Sequence, residues 1–183
     1  MPVIAPDDLS KVSIYDPHLF LAGSIEQDRA PNWQAAGIRF FTNNVDLKNL
    51  VIVNPRRASW DPTLEQTIAN PIFKGQVVFE LERLERADAV VMWLEPGTLS
   101  PISLLELGLL CGWSSSGNLN KLVVGCPQGF WRKGNVDVVC ERYKVKVVDT
   151  QNELFEEGKI LLERNFDRRM TNNNATFSAS NIR

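Results

Sequence analysis

Histidine, cysteine and long apolar runs are all scarce in this chain of 183 residues, and each scarcity excludes a class of protein. The one histidine, His18, and the three cysteines at positions 111, 126 and 140 make a zinc site or a disulfide framework unexpected. The longest apolar run, Ala89 to Leu94, has six residues, whereas a membrane-spanning helix needs about 20. We therefore expect no bound metal and no membrane segment.

Neither sign of charge is in excess, since 20 Lys and Arg oppose 22 Asp and Glu, for a net charge of −2. This balance gives no support to binding of a nucleic acid polymer or a membrane surface. The first eight residues have neither a basic start nor an apolar segment, so a secretory signal is not expected. We expect a cytoplasmic protein without a cofactor, in which carboxylates carry any acid–base chemistry.

Apolar runs and helical patterns alternate along the chain. The predicted strands are Leu19–Ala22, Leu50–Val53, Ala89–Leu94, Leu122–Val124 and Tyr143–Val148. The predicted helices are Trp33–Phe41, Gln76–Ala87, Pro101–Trp113, Asn135–Arg142 and Asn152–Arg164. Nearly continuous apolar strands that alternate with helices are typical of a parallel sheet covered on both faces. The sequence thus predicts an α/β fold, a flavodoxin-like doubly wound five-stranded parallel sheet of order 2-1-3-4-5.

The same pattern predicts the domain organisation. Residues 1–165 are expected to form a single domain, and residues 166–183 a polar, flexible tail or an arm ordered by a neighbouring subunit. On the third predicted helix, Ile102, Leu105, Leu109 and Trp113 form an apolar stripe. The long connection Pro55–Gly75 has the length of a functional loop.

Candidate binding residues gather where the predicted strands end, because open α/β sheets bind ligands at their carboxyl edge. They are Gly23 and Ser24 after the first strand, Asn54 and Arg56 after the second, Trp93 and Ser100 at the third, and Asp61 in the long loop. Ser100 and Pro101 predict a helix start whose free N–H groups suit anions or sugar oxygens, although an ordinary cap is an equal interpretation. Dinucleotide and P-loop glycine motifs are missing.

Two carboxylates fall among apolar positions. Glu106 has Ile102, Leu109 and Leu110 as its helical neighbours, and Glu80 lies between Val77 and Leu84 one helix earlier. Carboxylates in such surroundings are paired, protonated or functional. Two of them facing one crevice suit glycosidic chemistry, in which one acts as nucleophile and the other manages protons. A structural role, with Glu80 paired to an arginine, is the alternative.

Four segments in order carry a family resemblance: Phe20–Ile25, Asn54–Arg57, Gln76–Trp93 and Ser100–Gly108. Over about residues 19 to 126 the chain resembles the nucleoside 2-deoxyribosyltransferase-like family. The resemblance implies cleavage of an N-glycosidic bond, with Glu106 as the nucleophile that forms a glycosyl-enzyme ester. It also implies that Glu80 helps to bind and protonate the base, that Gly23 and Ser24 approach the sugar, and that the protein is a homo-oligomer.

Two departures from the family pattern leave the reaction open. Ser100 stands where transferases often have an aspartate, and Phe20 where they often have a tyrosine, which leaves room for hydrolysis in place of 2-deoxyribose transfer. The serines near Ser100, with Arg56, could instead receive a 5′-phosphate. A non-catalytic nucleotide-binding module is the main alternative, and a phosphoribohydrolase is weakly suggested by Pro96–Thr98.

Overall fold

Helices and strands alternate through the chain, and the computed structural model describes residues 3–5, 12–26, 29–56, 63–115 and 120–180, with side chains described outside 3–5 and 174–180. The strands are β1 (Val3–Ala5), β2 (His18–Gly23), β3 (Val51–Val53), β4 (Ala89–Trp93), β5 (Leu122–Gly125) and β6 (Lys146–Val148). The helices are α1 (Trp33–Asn44), α2 (Pro71–Arg86), α3 (Pro101–Ser115), α4 (Lys133–Tyr143) and α5 (Gln151–Ser180).

All strand pairs in the sheet are parallel, and the strand order is β1-β3-β2-β4-β5-β6. The five predicted strands thus lie in the predicted order 2-1-3-4-5, which confirms the flavodoxin-like α/β fold, and β6 lies at an edge. The sequence did not predict β1, which adds a sixth strand beside β3. A strand of three residues is too short to show an alternating pattern of its own.

Successive residues of β2 and β4 point to opposite faces of the sheet and build two cores. Phe20 and Met92 pack on the face covered by α2, α3 and α4, in a core that includes Leu84, Leu107 and Val136. The opposite face belongs to α1 and α5, and its core includes Leu19, Trp33, Phe41, Trp93 and Phe155. Such burial on both faces explains why the strands are continuously apolar.

Polar side chains define several helix starts. The Asn32 side chain accepts a hydrogen bond from the Ala35 N–H at the start of α1, and Asn70 does the same for Ile72 and Phe73 in α2. Thr150 and Glu153 bond reciprocally before α5, which is a capping box. Each cap satisfies backbone donors that lack a partner in the first turn.

The face of α3 that turns inward differs from the predicted stripe. Ile102 and Leu105 are each 63% exposed and Leu109 is exposed as well, whereas Ser103 and Glu106 lie on the buried side with Leu107, Leu110 and Cys111. Ile102, Leu105 and Leu109 therefore share the outward face of α3 and do not pack on the sheet. Apolar residues surround nearly the whole of α3, so their spacing does not mark which side packs on the sheet.

Helix α5 continues well past the predicted end at Arg164, so residues 166–180 of the segment expected as a flexible tail are helical. Arg169 explains part of this extension, because its guanidinium donates to both carboxylate oxygens of Asp88 at 2.7 and 2.9 Å. It also donates to the carbonyls of Ile14 and Asp16. Within the described part of the chain, no helix is long and apolar enough to cross a bilayer.

Candidate functional site

Three buried hydroxyl groups meet where β2 and β4 end and α3 begins. The Ser24 Oγ lies 2.5 Å from the Ser100 Oγ and 2.9 Å from the Thr98 Oγ1, and Thr98 and Ser100 are 2.8 Å apart. The Glu95 N–H donates to Ser24, and Thr98 donates to the Glu95 carbonyl. These hydrogen bonds hold the β4–α3 loop against the end of β2 and fix the position of the α3 N-terminus.

The carboxylate of Glu26 occupies that N-terminus. One of its oxygens, Oε1, accepts hydrogen bonds from the backbone N–H groups of Leu99 and Ser100, the second at 2.5 Å. Glu26 and Ser100 both have left-handed backbones, with φ of 43° and 49°. Non-glycine residues in that region are uncommon and cluster at functional sites. A side chain of this protein thus fills the anion position that the sequence suggested for a ligand.

Two side chains hold the segment that carries Glu26. The guanidinium of Arg56 donates to the carbonyl of Ala30 at 2.7 Å and to that of Ile25 at 3.5 Å. The indole N–H of Trp33 donates to the Ser24 carbonyl at 3.1 Å. Arg56 therefore fixes the loop between β2 and α1. Because its guanidinium is bonded to these carbonyls, a ligand that uses Arg56 has to bind beside them.

Glu106 lies on the buried side of α3, six residues after Ser100, with 9% of its surface exposed. Burial and the nearby negative charge of Glu80 raise the pKa of Glu106 to about 8. Across the described residues, no hydrogen bond or ion pair stabilises its carboxylate. A buried carboxyl group near a second negative charge is costly to folding, and such groups occur often in catalytic sites.

Glu80 lies on α2, half-buried, and accepts a hydrogen bond from Gln76 at 3.0 Å. Its charge reaches Glu106 across the space between α2 and α3. The two carboxylates that the sequence singled out therefore lie within electrostatic reach of each other. Their unequal burial gives them different environments, which is the condition under which two carboxyl groups can divide acid and nucleophile roles.

The other predicted site residues have different surroundings. Gly23 has φ of 126°, and a Cβ there would lie 2.2 Å from the Trp93 carbonyl oxygen, so the strand contact itself requires glycine. The Asn54 side chain accepts from the Arg56 N–H. Trp93 is 5% exposed and belongs to the core of the α1 and α5 face, opposite α3. Asp61 lies outside the described residues.

Sequence reasoning missed Glu26 and Thr98. Both follow predicted strands at the carboxyl edge, which indicates their role only weakly. Nothing in their spacing shows that Glu26 reaches the amides of the next βα loop.

No group of three or more potential metal ligands occurs in the parts of the chain with described side chains. What the arrangement can do chemically rests on one buried carboxyl group, a second carboxylate and a rim of hydroxyls.

Comparison with known proteins gives a family match and a similar solved structure. A family model described as "Nucleoside 2-deoxyribosyltransferase like" matches residues 16–130, a range that contains both carboxylates and the hydroxyl cluster. No curated protein matches the chain. A solved structure, a conserved protein from Enterococcus faecalis V583, superposes with a TM-score of 0.52 at 15% identity, over 79% of this chain and 98% of the other. At that identity the likeness concerns the fold.

Proposed function

The chain belongs to the nucleoside 2-deoxyribosyltransferase-like family, and from that premise we propose that it cleaves the N-glycosidic bond of a nucleoside or nucleotide, with Glu106 as the nucleophile. The observation that carries this proposal is the burial of Glu106 in the second turn of α3, with Glu80 as its charged neighbour. None of the residues that the structure describes pairs with this carboxyl group, and its burial therefore supports a chemical role over a structural one.

The proposed reaction has two displacements at the anomeric carbon. A carboxylate oxygen of Glu106 bonds to that carbon while the carbon–nitrogen bond breaks, and the bonding electrons leave with the base. Glu106 attacks as the carboxylate, after the proton that it holds at neutral pH is lost to solvent, and a water molecule oriented by Glu80 protonates the departing base. A second base or a water molecule then displaces Glu106, so the configuration of the sugar is retained.

The decisive experiment follows base release and base exchange by chromatography. Ribo- and deoxynucleosides and their 5′-monophosphates are incubated with and without a free acceptor base. We expect Glu106→Ala and Glu106→Gln to abolish turnover, while Glu82→Gln, on an exposed position of α2, keeps it. A new nucleoside that forms only with acceptor indicates transfer, and free base without acceptor indicates hydrolysis. Wild-type turnover in both Glu106 variants would contradict the proposal.

The raised pKa of Glu106 also favours a second candidate, because a protonated carboxyl group is a poor nucleophile at neutral pH. In this candidate the protein binds a nucleotide or nucleoside without turnover, and Glu106 donates a hydrogen bond to it. Thermal shift measurements with the same compounds test it. Stabilisation by a ligand that is recovered intact supports the binding module, and Glu106-dependent product contradicts it.

We also propose that two copies associate through the outward face of α3. Ile102, Leu105 and Leu109 form an exposed apolar surface on the helix that carries Glu106. Such surfaces mark interaction sites, and a second copy there would lie next to the site. Light scattering coupled to size-exclusion chromatography should show a dimer or larger that Leu105→Glu dissociates. Ile160→Glu, at an exposed apolar position of α5, should leave the mass unchanged; a monomeric wild type would contradict the proposal.

A further inference from the structure

We propose that Glu26 determines the substrate class of this site, by excluding a 5′-phosphate and admitting nucleosides with a free 5′-hydroxyl. This inference rests on the proposed function. Its observation is the placement of a carboxylate at the α3 N-terminus, where Glu26 accepts from the N–H groups of Leu99 and Ser100. Those two N–H groups are the backbone donors that an anionic ligand would otherwise use.

The position of Glu26 relative to Glu106 suits this role. Pro101, directly after Ser100, and Glu106 are five residues apart on α3, which corresponds to about 7.5 Å along its axis. A pentose with its anomeric carbon at Glu106 can direct its 5′ oxygen toward the first turn of α3. A hydroxyl group there meets the carboxylate of Glu26 as a hydrogen-bond acceptor. A phosphate there brings about two negative charges against it.

Displacing Glu26 would disturb more than one side chain. Its backbone is left-handed, and the segment around it is fastened by Arg56 to the carbonyls of Ile25 and Ala30. The Ser100 that it contacts is itself held by the buried hydroxyls of Ser24 and Thr98. Glu26 therefore stays in place as a negative charge within the site. A phosphate group binds poorly beside it, because like charges at close range repel each other strongly.

The test compares kcat/KM for a nucleoside and its 5′-monophosphate in the wild type, Glu26→Gln and Glu26→Ala. Gln keeps a hydrogen-bond acceptor for the two N–H groups and removes the charge, so it guards against a loop that fails to fold after the Ala change. We expect the wild type to prefer the nucleoside by tenfold or more. Both variants should raise the ratio of monophosphate to nucleoside turnover by about tenfold or more.

Glu95→Gln is the matched control. Glu95 is a carboxylate on the same rim, but it accepts from the Trp93 indole N–H and does not contact the α3 amides. Equal effects of Glu95→Gln and Glu26→Gln would overturn the proposal, because net charge alone would then explain them. A wild type that prefers the monophosphate, or an unchanged ratio in both Glu26 variants, would also overturn it.

A binding measurement separates this inference from the proposed reaction. Calorimetric titration of Glu106→Ala with the 5′-monophosphate, with and without Glu26→Gln, needs no turnover. We expect the added Glu26 change to tighten monophosphate binding about tenfold or more and to leave nucleoside binding within about twofold. If no compound is turned over by the wild type, the proposed reaction fails, and this titration still decides the role of Glu26: tightening supports it and equal affinity overturns it.

Discussion

The negative charge of Glu80 on α2 reaches Glu106 on α3 and adds to burial in raising the pKa of Glu106 to about 8. The carboxyl group proposed as nucleophile is therefore mostly protonated at neutral pH. A carboxyl group that is buried near another negative charge is harder to ionise. The pH dependence of the reaction thus reports directly on the pair.

The first prediction concerns that pH dependence. Because a nucleophilic carboxylate must be ionised, kcat/KM should rise with pH toward a plateau above about 8. Removing the charge in Glu80→Gln lowers the pKa of Glu106 and should move the rising limb to lower pH, with reduced activity at the plateau. Glu82→Gln is the control on the same helix. An activity that falls as pH rises through 8 would instead make Glu106 a proton donor.

The second prediction concerns stability. The pKa of Glu106 is about 8 in the folded protein, whereas the ordinary value of a glutamate, taken for the unfolded chain, is 4.5. Between these two pH values the folded state therefore binds one proton more than the unfolded state. Stability therefore falls as pH rises from about 4.5 to about 8. Glu106→Gln should reduce the loss of unfolding free energy between pH 5 and pH 8 by roughly 2–4 kcal/mol.

Urea denaturation at the two pH values measures this loss. Glu141→Gln, at an exposed position of α4, should keep the wild-type pH dependence. An equal pH dependence in wild type and Glu106→Gln would show that Glu106 has an ordinary pKa. The stability test needs no substrate, so it examines the buried pair independently of the reaction.

The order of the strands could be predicted from the sequence because continuous apolar runs and intervening helices leave few topologies. Glu80 and Glu106 could also be singled out, since both residues stand out against apolar neighbours, and the structure adds that the charge of Glu80 reaches Glu106. The inward face of α3 was not, because Ile102 and Leu107 are equally apolar and only the packing on the sheet distinguishes them. Glu26 could not be found either: its contact with Ser100 joins residues 74 positions apart through loop conformations that local patterns do not encode.

The end of α5 provides the third prediction. Arg169 joins α5 to the buried carboxylate of Asp88, which also accepts from the His18 N–H. Arg169→Ala removes this ion pair from the buried Asp88 carboxylate and should lower the unfolding free energy by roughly 2–4 kcal/mol. This range is below the usual cost of breaking a fully buried ion pair, because Arg169 is partly exposed. Arg169→Lys should lie between, since Lys cannot reproduce the two-pronged contact.

The neighbouring Arg168, which is exposed, supplies the control for this ion pair. Arg168→Ala should change the unfolding free energy by less than about 0.5 kcal/mol, as is usual for surface positions. Thermal and urea denaturation of the three variants gives the comparison. Wild-type stability in Arg169→Ala would show that the extension of α5 is dispensable to the fold.

The last prediction concerns Gly23, at the end of β2 and directly before the hydroxyl cluster. Its φ of 126° and the Trp93 carbonyl, 2.2 Å from where a Cβ would stand, combine backbone strain with a clash against another strand. Gly23→Ala should therefore lower the unfolding free energy by roughly 3–5 kcal/mol.

Gly97 supplies the control: it also has a positive φ, of 81°, but nothing lies within 4 Å of its Cβ position. Gly97→Ala should lower the unfolding free energy by only about 1–2 kcal/mol, the cost of the left-handed backbone alone. Equal losses in the two variants would show that β2 and β4 separate easily at this point, and the fixed placement of Ser24 would then need another cause.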